Sequence, residues 1–436
     1  MRRLVLALVL LLWTLPAAAV TVERVVSPKG IEAWLVQDHA NPILSLSLAF
    51  RGGAALDPAP KAGLANMVSG LLDEGAGPYD SLAFQQKIED LAIEIGFDAG
   101  KDTFRGHLKT LTANRDTAFE LLRLALTQPR FDKEPVERIR GQVLAGLLRE
   151  LQDPNSVASR EFSRLIFAGH PYAQAVRGNP ETVKAVQVAD LRAFVKANFA
   201  RDRLVVGVVG DITPEQLAPL LDATFGALPA GAAAVRVPET TPGAAGRIQV
   251  IARDNPQSVA LFGQPGIKRD DPDWYAAYVM NYVLGGGGFA SRLTEQVREK
   301  RGLAYSVYSY LIPMEHAAVV MGGVATENSR LAESLELIRA EFARMRDHGL
   351  TEKELADAKT YLTGSFPLQM DSTAAIAGLL VQMQLDRLGL DYLDKRNGYI
   401  EAVSQDHVLK VARRLLNPDT LTTVVVGKPA GVTASH

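Results

Sequence analysis

Metal-assisted hydrolysis needs imidazole, thiolate or carboxylate ligands held close together, and ligand pairs on one helix stand three to five residues apart. The seven histidines, His39, His107, His170, His316, His348, His407 and His436, include no such pair. They read as surface and loop residues. The chain has no cysteine, so it offers neither a thiol nucleophile nor a thiolate metal site. It has no Gly-x-Ser-x-Gly elbow, and Gly285, Gly286, Gly287 and Gly288 run on without the Gly-Lys-Ser/Thr ending of a phosphate loop. The four glycines make either a flexible turn or a place where a substrate backbone can come close because no side chain intervenes. Arg298 and Tyr305 follow them, seven residues apart. Spacing alone makes Arg298 a helix-surface charge and Tyr305 a half-buried strand aromatic.

The elements that would carry these residues are written twice. Asn41-Pro42 precedes Asp57-Pro58 by sixteen positions, and Asn255-Pro256 precedes Asp271-Pro272 by the same interval, at an offset of 214. Each pair encloses a β-rich stretch and leads into a helical pattern, Ala62 to Leu72 in one copy and Trp274 to Leu284 in the other. Near the far end of each copy, Leu204 to Gly210 matches Leu421 to Gly427 at an offset of 217. Two anchors with nearly equal offsets predict duplication of a unit of ordinary domain size. Pro, Gly and Ala crowd the stretch between the copies. The expected organisation is a signal peptide at 1–19, an N-terminal unit at 20–228, a linker at 229–246 and a C-terminal unit at 247–436. Within a unit, Ile31 to Val36, Leu44 to Phe50 and Leu204 to Val209 predict strands. Ser81 to Ile95, Arg115 to Leu126, Glu134 to Gln152 and Val188 to Phe199 predict helices. Such segregation favours an α+β fold, each unit a largely antiparallel sheet with helices on one face.

Gly63-Leu64-Ala65-Asn66-Met67-Val68-Ser69-Gly70-Leu71-Leu72, placed after a strand and an Asp-Pro loop, resembles the segment in which pitrilysin and insulinase-like zinc peptidases (inverted zincins) carry H-x-x-E-H. The resemblance extends over the whole mature chain, including Gly169-His170-Pro171 and Ser291 to Tyr310. It implies the two-domain fold of the mitochondrial processing peptidases. In H-x-x-E-H two imidazoles on adjacent helical turns bind Zn²⁺, and the Glu takes a proton from metal-bound water. Here those positions are Asn66, Ser69 and Gly70. The third ligand, a Glu about seventy-six residues beyond the second His, falls at Gly146 or its neighbour Ala145. The chain therefore resembles the family's non-catalytic members, and no metal is expected on it. The resemblance also gives Arg298 and Tyr305 a use, because the family's Arg and Tyr at this spacing face the zinc of the opposite domain. A guanidinium and a phenol hydroxyl can donate hydrogen bonds to a peptide carbonyl or its oxyanion, worth about 3 kcal/mol each in a dry site.

The first nineteen residues have Arg2 and Arg3, an apolar run from Leu4 to Leu15, Pro16 and then Ala17-Ala18-Ala19, the order of a secretory signal cleaved near Ala19. The apolar run falls short of the roughly 20 residues of a membrane span. Export of a cysteine-free chain points to a periplasm. Losing the two arginines takes the formal charge only from -2 to -4, which gives no electrostatic case for nucleic acid. The expectation is a substrate-binding subunit, inactive alone, that works with a homologous H-x-x-E-H subunit carrying the zinc, on peptide or unfolded polypeptide. The alternative is a peptide-binding or assembly protein with no proteolytic partner. A third reading, a rearranged metal site on this chain, requires distant residues to gather in space.

Overall fold

A computed structural model describes residues 20–232 and 236–435. The export signal expected over 1–19 lies outside the described residues. In the first half the order is β1 (Glu23–Val26), β2 (Glu32–Gln37), β3 (Ile43–Arg51), α1 (Leu64–Ser69), α2 (Ser81–Asp90), β4 (Glu94–Ala99), β5 (Thr103–Leu111), α3 (Arg115–Thr127), α4 (Lys133–Glu150), α5 (Pro154–Ile166), α6 (Pro180–Ala185), α7 (Val188–Asn198), β6 (Leu204–Gly210) and α8 (Pro214–Phe225). The second half has β7 (Ile248–Ala252), β8 (Gln257–Pro265), α9 (Trp274–Asn281), β9 (Ala304–Pro313), β10 (Ala318–Glu327), α10 (Leu331–His348), α11 (Glu352–Gly364), α12 (Thr373–Leu385), α13 (Tyr392–Glu401), α14 (Gln405–Leu415) and β11 (Thr422–Gly427). No described helix is long and apolar enough to cross a membrane.

The two sheets have one topology. The first runs β1-β2-β6-β3-β5-β4 and the second β7-β11-β8-β10-β9. Pairing is antiparallel throughout except for β2 with β6 and, equivalently, β7 with β11. The repeated Leu204-to-Gly210 and Leu421-to-Gly427 runs are the central strands β6 and β11. Each ends on a glycine at positive φ, +137° for Gly210 and +147° for Gly427, a conformation that L side chains rarely adopt.

Each half covers one sheet face with its own helices. Leu44, Leu46, Leu48 and Phe50 of β3 enter a core with Leu64, Phe119, Leu122 and Phe194, all from the first half. Ala260 and Phe262 of β8 do the same with Met280, Phe342 and Val411. The other face of each sheet receives one helix from the opposite half. Val157, Ala158, Phe162 and Ile166 of α5 pack on Val259, Leu261, Val424 and Val426 of the second sheet. Reciprocally, Ala377, Leu380 and Met383 of α12 pack on Trp34, Val36 and Val209 of the first. Small residues let these helices approach. A Cβ on Gly207 would lie 2.6 Å from the Ala377 carbonyl oxygen, and one on Gly263 would lie 2.7 Å from Cζ of Phe162. A sheet covered on both sides needs central strands that are apolar without alternation, and the valine runs of β6 and β11 meet that need.

One predicted helix is shorter than its pattern. The helical reading of Ser81 to Ile95 ends at Asp90, and the chain turns through Ala92 at φ 50° into β4. Phe84 is the only fully buried residue of α2, so its apolar spacing is too thin to carry the helix further.

Candidate functional site

Asp57, the acid of the first Asp-Pro loop, aims α1. Its Oδ2 accepts the Gly63 N–H and its Oδ1 the Ala65 N–H, both at 3.0 Å. Burial pushes this carboxyl up to about 7, against the pull of its backbone donors. Along α1, Asn66 is half-buried and Ser69 is buried. The Ser69 hydroxyl donates back to the Asn66 carbonyl at 2.9 Å, so it is spent within its own helix. Gly70 caps the helix, and a Cβ there would sit 3.2 Å from Cγ2 of Ile139 on α4.

Two turns further along α4 stands Gly146. A Cβ at this position would lie 2.5 Å from Nη2 of Arg177, so the guanidinium fills the space into which a side chain would project. Arg177 also pairs through Nη1 with Glu150, one turn on from Gly146 along α4. The loop carrying Arg177 reaches the start of α1, where a Cβ on Gly63 would come within 2.7 Å of the Arg177 carbonyl oxygen. The donor set for a divalent cation is therefore an amide, a hydroxyl already engaged and two glycines, beside the Arg177 guanidinium and its partner Glu150. Zinc does not fit here.

Four of the histidines are held elsewhere. His39 pairs with Asp211 at 2.7 Å, His316 with Glu239 at 3.1 Å and His407 with Asp273 at 2.9 Å. His170 lies between the Tyr172 N–H and the Pro238 carbonyl. Among the described residues no three His, Cys, Asp or Glu side chains gather as a metal site would require.

The second half brings Arg298 and Tyr305 together. The Arg298 guanidinium carbon is 5.0 Å from the Tyr305 ring centroid and 4.5 Å from that of Phe289, so the cation lies against two aromatic rings. Tyr305 is 81% exposed and Phe289 70%. Phe289 stands directly after the glycine run, and sequence reading passed over it. An exposed aromatic beside a conformationally free turn is the signal that could have found it.

Three of the four glycines pack against this chain's own atoms. A Cβ on Gly285 would meet the Ser309 nitrogen at 2.6 Å, one on Gly286 would meet Asn281 at 2.8 Å, and one on Gly287 the Tyr282 carbonyl at 2.8 Å. Gly288 alone faces open space. The helical segment 292–299, which carries Arg298, is anchored separately. Arg292, almost wholly buried, donates to Glu354 at 2.6 and 2.7 Å and to the Gly349 carbonyl at 2.8 Å. Hydrogen bonds from Arg292 and Thr351 hold the Glu354 carboxyl down at about 2, outweighing its burial.

The exposed sheet edges differ. On β9, Asn281 Nδ2 donates to the Ser309 carbonyl at 3.1 Å and the Ser309 hydroxyl returns a bond to Asn281 Oδ1 at 2.9 Å. Together with the close approach of Gly285, these bonds close the middle of that edge. On β4, no side chain among the described residues hydrogen-bonds the main chain of Glu94–Ala99.

Comparison with known proteins agrees with this geometry. Residues 185–362 match the family model described as the peptidase M16 inactive domain. A non-peptidase homolog, YmxG, from Helicobacter pylori is 31% identical over 362 residues, covering 83% of this chain and 83% of that protein. An uncharacterized zinc protease of Streptomyces coelicolor is 29% identical over 363 residues, covering 81% and 78%. The crystal structure of a peptidase M16 inactive domain from Pseudomonas fluorescens superposes with a TM-score of 0.86 at 31% identity, over 95% of this chain and 99% of that one. With its fold shared, the chain belongs to the peptidase M16 family, the pitrilysin and insulinase-like group, and the positions of that family's metal ligands are vacated in it.

Proposed function

We propose that this protein is the non-catalytic, substrate-binding subunit of a heterodimeric zinc metallopeptidase, exported to the periplasm. The observation that carries the reading is the contrast within one chain. Arg298 and Tyr305 are assembled at the surface, the ring exposed and the guanidinium half-buried beside it, while the positions for metal ligands are occupied by groups that make no zinc site. In this reading a homologous H-x-x-E-H subunit holds zinc, which supplies Lewis-acid polarisation of the scissile carbonyl and a reactive water. This chain's part is to present two donors. In this reading the Nη N–H groups of Arg298 and the hydroxyl of Tyr305 hydrogen-bond the peptide carbonyl oxygen as negative charge builds on it. The open β4 edge offers backbone groups along which an extended peptide can lie as an added strand.

The test is reconstitution. The purified chain is expected to contain no stoichiometric zinc and to cleave no peptide, and mixing it with the H-x-x-E-H relative from the same cell is expected to yield proteolysis. Arg298→Ala and Tyr305→Phe should each lower turnover of the mixture by about 10- to 100-fold, the scale of a lost oxyanion donor. Unchanged turnover in both variants sinks the proposed role of the pair. Peptide binding by the chain, with no zinc-bearing companion recovered alongside it from the cell, would favour the peptide-holding alternative.

A further inference from the structure

Arg298 is half-buried, its side chain 30% in solvent; that side chain has many rotamers, and a donor contributes to a reaction only when it is held where charge develops. Few contacts of this chain fix it. Its Nε lies 3.4 Å from Glu299, a neighbour that is itself half in solvent. The two rings supply the remaining constraint. Phe289 approaches the guanidinium carbon more closely than Tyr305 does, 4.5 Å against 5.0 Å. Phe289 is delivered there by Gly288, whose φ of +57° turns the chain just before the ring. A phenylalanine 70% exposed loses hydrophobic stabilisation that an inward position would give, so its placement calls for another account.

We infer that Phe289 is a positioning residue: its ring holds the guanidinium of Arg298 by a cation–π contact, leaving the Nη N–H groups, which do not face Glu299, to donate to a substrate oxygen. A ring covers the flat face of a guanidinium and does not compete for its in-plane donors. A carboxylate partner in the same place would consume those donors and cancel the charge. The same ring links the glycine turn to the arginine, so a change at the turn is felt at the donor.

This inference rests on the subunit reading for its consequence in catalysis, and its physical content can be read without a partner. In the isolated chain, the Nε–H proton of Arg298 is expected to resonate upfield under the ring currents of its neighbours. Phe289→Leu, which keeps an apolar side chain and removes the ring, should move that resonance downfield, whereas Phe289→Tyr should hold it. In the reconstituted complex, Phe289→Leu should lower kcat roughly five- to ten-fold with little change in KM, and Phe289→Tyr should stay within about two-fold of wild type. Added to Arg298→Ala, Phe289→Leu should cost nothing further. An Arg298 resonance indifferent to Phe289→Leu overturns the inference. So does a complex that is impaired by Arg298→Ala and unaffected by Phe289→Leu. If Arg298→Ala itself leaves turnover unchanged, the donor role given to Arg298 in the subunit reading fails, and the resonance alone decides whether Phe289 positions the arginine.

Discussion

The two halves share a sheet topology, a central valine-rich strand and a donated helix, yet they have diverged in opposite directions at their exposed ends. In the first half, α1 carries Asn66, Ser69 and Gly70 where the active members of the family carry ligands, and Arg177 occupies the wall made by Gly146. Its sheet edge at β4 is free of side-chain partners among the described residues. In the second half, Asn281 and Gly285 close the β9 edge, while Tyr305 and Phe289 stand out from the surface with the half-buried Arg298 against their rings. A scaffold set by packing of sheet on helix thus tolerates loss of one chemistry and retention of another, because neither the ligand positions nor the aromatic–arginine cluster belongs to the apolar side-chain clusters that join sheet to helix.

The contrast is broken most directly by trying to refill the first half. Asn66→His, Ser69→Glu, Gly70→His and Gly146→Glu together restore the donor types, but the new carboxylate at 146 would meet the Arg177 guanidinium before it met a metal. Zinc binding by this fourfold variant is expected to be weak, and adding Arg177→Ala should tighten it by about 10- to 100-fold, the scale of a change just outside the coordination sphere. Competition with a chromophoric chelator measures both affinities. Equal affinity with and without Arg177 would mean that the guanidinium does not plug the site.

The exchanged helices test whether the halves are as equivalent in packing as they are in topology. Gly207→Ala places a methyl group 2.6 Å from the Ala377 carbonyl oxygen, and Gly263→Ala places one 2.7 Å from Cζ of Phe162 and 2.8 Å from the Val320 carbonyl oxygen. Each should lower unfolding stability in urea by about 2 kcal/mol, the cost of overpacking a tight core. The loss at 207 should be the larger, because a helix backbone yields less readily than the end of a phenylalanine ring. A loss below about 0.5 kcal/mol at both would show that α5 and α12 rest loosely on the sheets.

Much of this was legible in the sequence, and the illegible parts have physical reasons. The duplication could be read because Asp-Pro loops and strand-ending glycines recur at fixed offsets, and both mark positions where backbone conformation is constrained. The vacated ligand positions could be read because H-x-x-E-H is a local motif whose spacing follows one helical face. The exchange of α5 and α12 could not be read, since helix periodicity reports that an apolar face exists and not which sheet it covers. The only hint was the lack of alternation in Leu204 to Gly210. Arg177 and Phe289 were missed for a related reason. Arg177 lies 31 positions beyond Gly146, and its role depends on how a loop folds back over α4. Phe289 followed four glycines whose conformation the sequence leaves free.

The two Asp-Pro loops give the contrast an opposite sign in pH. Asp57 is buried among backbone donors and its carboxyl is raised to about 7 from an ordinary value of 3.8. In the second copy the perturbed acid is not the counterpart Asp271 but Asp273, two residues further along the loop, which is lowered by hydrogen bonding to His407, with nearby Lys410 and Arg414 adding to the effect. For a raised carboxyl the folded state holds the proton more tightly than the unfolded state does. The stability it contributes is fully present below pH 3.8 and is lost as pH rises toward 7, at no more than about 1.4 kcal/mol per pH unit. For Asp273 the contribution is present above 3.8 and is lost as the pH falls through its lowered value. Asp57→Asn keeps one acceptor oxygen and cannot ionise, so the stability difference between wild type and this variant should shift against the wild type from pH 4.5 to 6.5 and level off above 7. Asp273→Asn should give the reverse trend at acid pH. Urea unfolding of both variants across this range measures the slopes, and a flat difference for Asp57→Asn would mean that the loop carboxylate is charged in the folded protein throughout.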